Sequence, residues 1–506
     1  MRRVLSPLLF ILLIIAIASF FRLWQLGSIP GGLFPDEAAN GLDIVNYIFK
    51  GEHSPFFERG LGRESLFFYL QAISVKILGI GVWQMHLVSA LIGILTVIIT
   101  WFFIKKLFNV RIAFLASLFM ATSSWHVTLS RTGFRAIMVP FFAVLFFYLA
   151  YSTYKESYLK KRIILAILSG MALAGGFYTY PSFRMVTIII GMLCFLILLS
   201  NWRILKNYSK EIIVGLIAFS LVIAPLAVYF AQHPDSFLGR AGYVSVFNKD
   251  QNQGDLIGTF WEVAEKTFWM FFTNGDLNWR HNTSGKSMLN SLVAAFFALG
   301  LLFCLALSRY FKYLFLLMWF LIMLVPELLT AESIPHGLRA IGAMPGVFII
   351  SALGVNFFYE RAKPIFGSKL LFGVLVLIAA FSTIYDFQLY FGISANSPDF
   401  YYAYRSDLTT VSNYLIGRNL KNKTYLVLDA YSVQTPEFLT SSYQEPYILV
   451  DPANSYQTAW KTGDQIVFTQ SSIYDATKFK QYHPEARLIK QEFNRFNEEI
   501  MRVYEY

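Results

Sequence analysis

Long unbroken apolar runs dominate the first four-fifths of the chain. A helix needs about 20 apolar residues to cross the hydrocarbon core of a bilayer. By that rule about eleven segments read as spans: 5–22, 82–104, 111–128, 136–154, 163–180, 185–201, 211–231, 289–308, 313–331, 340–358 and 369–391. Segment 66–80 is apolar but short and contains Lys76, so it reads as an interfacial or re-entrant helix. The first run follows Met1-Arg2-Arg3, as in a secretory leader. Phe20-Phe21-Arg22-Leu23-Trp24 then stands where small residues would mark a cleavage site, which makes the run an uncleaved first span. The pattern changes near residue 398. Short apolar strands at 424–430, 446–450, 465–470, 486–493 and 500–506 alternate with helical stretches near 406–420 and 473–482. The expectation is an all-α polytopic membrane domain, 1–397, followed by a small soluble α/β domain, 398–506.

Composition agrees. Of the 506 residues 56% are hydrophobic and 14% charged, against about 25% charged in soluble chains. This excludes an ordinary soluble enzyme, a disordered chain and a coiled coil. Two cysteines in apolar runs, Cys194 and Cys304, exclude a disulfide scaffold. With the N-terminus inside and the spans alternating, the inner segments hold 17 basic residues and three acids. That is the positive-inside pattern, so the net +11 reports topology and not a nucleic-acid partner. The outer side then carries 23–65, 232–288 and the tail. A plasma-membrane protein with a cytoplasmic N-terminus and an extracytoplasmic C-terminal domain is expected.

No P-loop, GxGxxG, CxxC pair or HExxH occurs. The informative stretch is Phe34-Pro35-Asp36-Glu37-Ala38, which follows the turn Pro30-Gly31-Gly32 and opens a predicted helix from Glu37 to about Lys50. Two readings stand for the pair. Asp36 caps the helix with Glu37 favoured by the dipole, or Asp36 takes a proton from an attacking hydroxyl while Glu37 orients a partner or binds a divalent cation. Arg131, Arg135, Arg184 and Arg339 lie in short outer turns, against the inside bias. Arginine forms bidentate bonds to phosphate, so together they suggest a site for an anionic head group. Each singly is an ordinary interfacial residue. His336, Tyr178 and Tyr180 in these turns, and Glu64 just before the re-entrant helix, are cavity or acceptor candidates; Glu64 also suits a helix start, and Tyr178 and Tyr180 with Trp125 better suit an interfacial aromatic belt than sugar stacking.

FPDEA after the first span, and the run ESLFFYLQAISVKILGIGVWQMHLVSALIGILTV, resemble the C-type (GT-C) membrane glycosyltransferases. The branch of protein O-mannosyltransferases and aminoarabinose transferases is the most similar. SSWHVTLSRTGFR, GGFYTYPSFRM and IPHGLRAIGAMP carry the likeness to about residue 360. It implies a GT-C-like fold and inverting transfer of a sugar from a polyprenyl-phosphate or diphosphate lipid to a protein, lipid or glycan acceptor outside the cytoplasm. Asp36 is then the base, and Glu37 orients the acceptor or contacts a metal. The outer arginines, Arg339 and Arg135 first, would balance charge on the leaving phosphate. One departure stands out. Relatives carry an acid shortly after the second-loop arginine, whereas this chain reads Arg135-Ala136-Ile137-Met138-Val139. A glycan ligase or polymerase and a lipid-linked-sugar flippase are the competing readings. A flippase would place ionisable residues mid-span, and a ligase needs no acidic pair after the first span.

Overall fold

The structure, a computed structural model, describes residues 7–416, 423–443 and 446–506. These described residues divide into two compact units: those within 1–24, 54–67 and 89–394 form the first; those within 25–53, 68–88 and 395–506 form the second.

The first unit is helical. Each predicted span is helix, but the expected eleven is not the number that length and composition support. Among the described residues six helices are long and apolar enough to cross a membrane: Val82–Leu107, Arg135–Lys155, Pro181–Asn201, Ser209–Gln232, Phe311–Leu328 and Arg339–Asn396. A seventh arises if Val110–Thr122 and Ser124–Ser130, bent by 59°, count as one. The shortfall has local reasons. Pro7–Leu23 and Ser291–Ala306 have 17 and 16 residues. Leu159–Phe177 begins with Lys160, Lys161 and Arg162. The last two predicted spans lie on either side of a non-helical kink at Gly367, φ 74° and ψ 157°, within the stretch Met344–Phe387. Segment 66–80 is a 13-residue helix, Leu66–Leu78.

The bend at Ser123 leaves helix-end carbonyls without intrahelical partners. Buried Arg22 supplies donors there, with Nη1 to Ala121 O at 2.8 Å and Nη2 to Met120 O at 3.3 Å. Tight helix pairs use glycine. Gly170 lies against the Gly215 backbone and Gly354 against that of Phe296, so a β-carbon at either would collide. Small residues let apolar helices approach this closely. Only 11% of the apolar window of Ser209–Gln232 is buried and 22% of that of Pro181–Asn201. Surface so apolar needs lipid or further protein around it.

The first unit also holds a two-residue hairpin, β1 (Phe56–Phe57) antiparallel to β2 (Arg63–Glu64). The second unit carries a five-stranded mixed sheet made of β3 (Thr424–Val427), β4 (Ile448–Val450), β5 (Gln465–Thr469), β6 (Arg487–Phe493) and β7 (Glu499–Glu505). Their order is β4-β3-β5-β7-β6; β3 pairs parallel with β4 and β5, while β7 is antiparallel to β5 and β6. All five apolar segments of the tail are therefore strands. The two-residue period of a strand divides their side chains between the faces. Leu426, Leu428, Val467, Met501 and Val503 pack on Leu408, Val411 and Leu415 of helix Ser406–Ile416. Val427, Ile466, Phe468 and Tyr504 pack on Ala476 and Phe479 of helix Ile473–Tyr482. The predicted helix near 406–420 is described as far as Ile416, and residues 417–420 lie outside the described residues.

Candidate functional site

The acidic pair belongs to the second unit. Helix Pro35–Asn46 starts with Pro35, whose fixed φ suits the first helical position, and Phe34 is the cap residue. Glu37 supplies the capping carboxylate: its Oε2 accepts the Phe34 N–H at 3.0 Å. Its Oε1 lies 2.9 Å from His86 Nε2, and both side chains are fully buried. This corrects one expectation: Asp36 is not the N-cap, being the second residue of the helix. The helix also stops at Asn46, short of Lys50, with Ile48–Lys50 a 3-10 turn.

Asp36 is exposed. Its Oδ1 accepts a hydrogen bond from Tyr431 Oη at 3.0 Å. Tyr431 lies just after β3, where the Asp429 carboxylate accepts the Tyr431 and Ser432 N–H groups at 3.0 and 2.8 Å. Burial pushes the Asp429 carboxyl up, but these bonds and the Arg405 charge outweigh it and hold the group below its ordinary range. The acidic segment is tied to the tail at further points. Thr435 Oγ1 donates to Leu33 O at 2.9 Å and Ser406 Oγ to Pro30 O at 2.8 Å. The Phe438 ring occupies the space a side chain at position 41 would need, so Gly41 permits this approach.

In the first unit β2 presents Glu64, which is 2% exposed. Two of the expected phosphate-binding arginines share it. Arg135 Nε donates to Oε2 at 3.2 Å, and Arg184 Nη2 lies 3.7 Å from Oε1. Arg135 also donates to Gly62 O at 3.3 Å and stands over the Tyr180 ring at 5.3 Å. Arg184 donates to Phe237 O at 2.7 Å and covers the Phe237 ring at 4.0 Å. These three side chains together carry a net charge of +1. Arg339 is largely buried and paired with Glu332, its Nη2 2.5 Å from Oε2.

Arg131 has a different task. It is fully buried and donates to Phe21 O at 3.1 Å and Trp24 O at 2.9 Å, closing the end of helix Pro7–Leu23. Its charge is committed to backbone, which corrects its placement among the phosphate ligands. Tyr178 is likewise structural, its hydroxyl donating to Val222 O at 2.8 Å and accepting from the Leu226 N–H at 3.3 Å.

His336 lies in a group that sequence reasoning missed. Asp276 Oδ2 is 2.8 Å from His281 Nδ1, and the His281 and His336 rings are 4.4 Å apart. One ligand atom from each of the three residues lies within 4.8 Å of the others. The Asp276–His281 spacing, inside NGDLNWRHN, was the only available signal. His86 stood inside a quoted motif, and nothing local marked Tyr431.

Residues 65–229, about a third of the chain, match the family model described as dolichyl-phosphate-mannose-protein mannosyltransferase. That stretch contains Arg131, Arg135, Tyr178, Tyr180 and Arg184, and excludes Asp36, Glu37 and Arg339. No curated protein matches the sequence. ArnT from Cupriavidus metallidurans bound to undecaprenyl phosphate is similar in structure, with a TM-score of 0.59 and 11% identity. The match covers 98% of this chain and 97% of that one. The oligosaccharyltransferase AglB of Archaeoglobus fulgidus, in complex with an inhibitory peptide and a dolichol-phosphate, gives 0.56 at 13% identity. Here the match covers 97% of this chain and 74% of that chain. These likenesses show the fold, which this chain shares with ArnT and AglB. The fold match to ArnT and AglB spans nearly the whole chain, whereas the mannosyltransferase family match is confined to residues 65–229.

Proposed function

We propose that the protein moves a sugar from a polyprenyl-phosphate donor to an acceptor hydroxyl on the extracytoplasmic face of the plasma membrane, with inversion. The observation that carries this reading is the exposed Asp36 carboxylate, held by a tyrosine hydroxyl beside a buried, fully engaged Glu37. Asp36 takes the acceptor's proton as its oxygen bonds to the anomeric carbon. The bond from that carbon to the donor's phosphate oxygen breaks, and its electron pair leaves on the phosphate. Arg135, Arg184 and Arg339 stabilise that charge. Glu64 holds Arg135 and Arg184 in place and is not itself a proton carrier. The lipid phosphates bound by ArnT and AglB support the donor class. The acceptor is a hydroxyl of a protein, lipid or glycan.

The test is transfer by purified protein in nanodiscs, with a panel of radiolabelled polyprenyl-phosphate sugars and membrane extract as acceptor. Label passing from one donor to an extract component is the expected result. Lipid-linked sugar crossing the bilayer unchanged, with no label transferred, would replace this reading with the flippase.

A further inference from the structure

We propose that Asp276, His281 and His336 form a binding site for a zinc-class divalent cation. Two of the residues come from the long segment 232–288 and the third from the turn before helix Met344–Phe387. All are at most 9% exposed. Buried imidazole and carboxylate are the donors such an ion selects, and it commonly takes three protein ligands with one position open. Here the ion would replace the proton between His281 Nδ1 and Asp276 Oδ2, now 2.8 Å apart, with His336 as the third ligand.

The surroundings are those of a built site. A metal ligand is normally oriented by outer hydrogen bonds. Asp276 Oδ1 accepts the Asn278 N–H and Oδ2 the Gly337 N–H, each at 2.7 Å. The His336 N–H donates to Glu327 Oε1 at 2.7 Å, and Trp125 Nε1 donates to Gly337 O at 3.0 Å. The backbone on both sides is therefore fixed before any ion arrives. The His281 and His336 rings are 4.4 Å apart, so a shared cation would join two segments distant in sequence.

The test uses full-length protein carrying a purification tag without histidine. After chelator treatment and dialysis it is titrated with Zn2+ alone. Bound zinc is counted by mass spectrometry, and the melting temperature is followed in parallel. The expected result is one zinc per chain and a higher Tm for the wild type. His281→Ala and His336→Gln should weaken binding by at least the roughly 10–100-fold that loss of an outer-shell partner costs. Their Tm should no longer respond to zinc. Monodisperse elution of both variants shows that they are folded. A wild type that binds no zinc, or folded variants that bind it as tightly as the wild type, would overturn the site. None of these readouts depends on sugar transfer.

Discussion

The start of helix Pro35–Asn46 and the hairpin end at Glu64 use the same functional group in opposite ways. Asp36 is exposed and accepts a single tyrosine hydroxyl. Glu64 is buried beneath two guanidinium groups. A carboxylate engaged like Asp36 keeps lone pairs and solvent access, so it can accept a proton. One engaged like Glu64 is tied to its partners' charge, and protonating it would leave two arginines repelling each other. Glu37 sharpens the contrast: one residue from Asp36, it is as buried as Glu64. Exposure and donor count separate chemistry from scaffolding here, and residue type does not.

The widest separation should appear with Asp36→Asn. Turnover should fall on the order of 10²–10⁴-fold, the usual worth of a general base, with Tm unchanged; initial rates beside a thermal melt check both. Glu64→Gln should reverse that pattern. Removing one partner of a buried ion pair costs about 3–5 kcal/mol, so chemical denaturation should reveal a large stability loss and a raised KM for donor. Glu37→Gln falls between them. It should cost about 1–3 kcal/mol through poorly satisfied buried donors, with near-normal turnover per folded molecule. If Glu37→Gln abolished turnover in folded protein, the scaffolding role would be wrong.

Tyr431→Phe should have a smaller effect. Losing about 1 kcal/mol of hydrogen bonding to the charged form should cut kcat/KM near neutral pH severalfold at most. An unchanged kcat/KM would detach Tyr431 from the base. The smallest effect belongs to Asp429. Its folded pKa is depressed, so its stabilisation is present above the unfolded value of about 3.9 and lost as pH falls through the folded value. Asp429→Asn should therefore lower Tm slightly at pH 7, and the difference from wild type should shrink on acidification.

Much of the fold was legible because the two periodicities are strong. Unbroken apolar runs marked the helices, and alternation marked β3 to β7. The span count was less legible, since length rules do not register a 59° bend at Ser123 or a kink at Gly367. At the site, Asp36 stood out because a turn and a proline introduce it. The partner of its carboxylate was invisible, because Tyr431 lies 395 residues away in sequence. Arg131 and Arg135, four residues apart in similar outer-turn sequence, have different partners. Only burial and geometry tell them apart.

The most direct test of the account is the anomeric configuration of the product, read by NMR from a transfer reaction with a donor of defined configuration. A base at Asp36 acting in a single displacement predicts an inverted anomeric centre. A retained centre would mean two displacements and a covalent sugar intermediate, and would contradict Asp36 as the base.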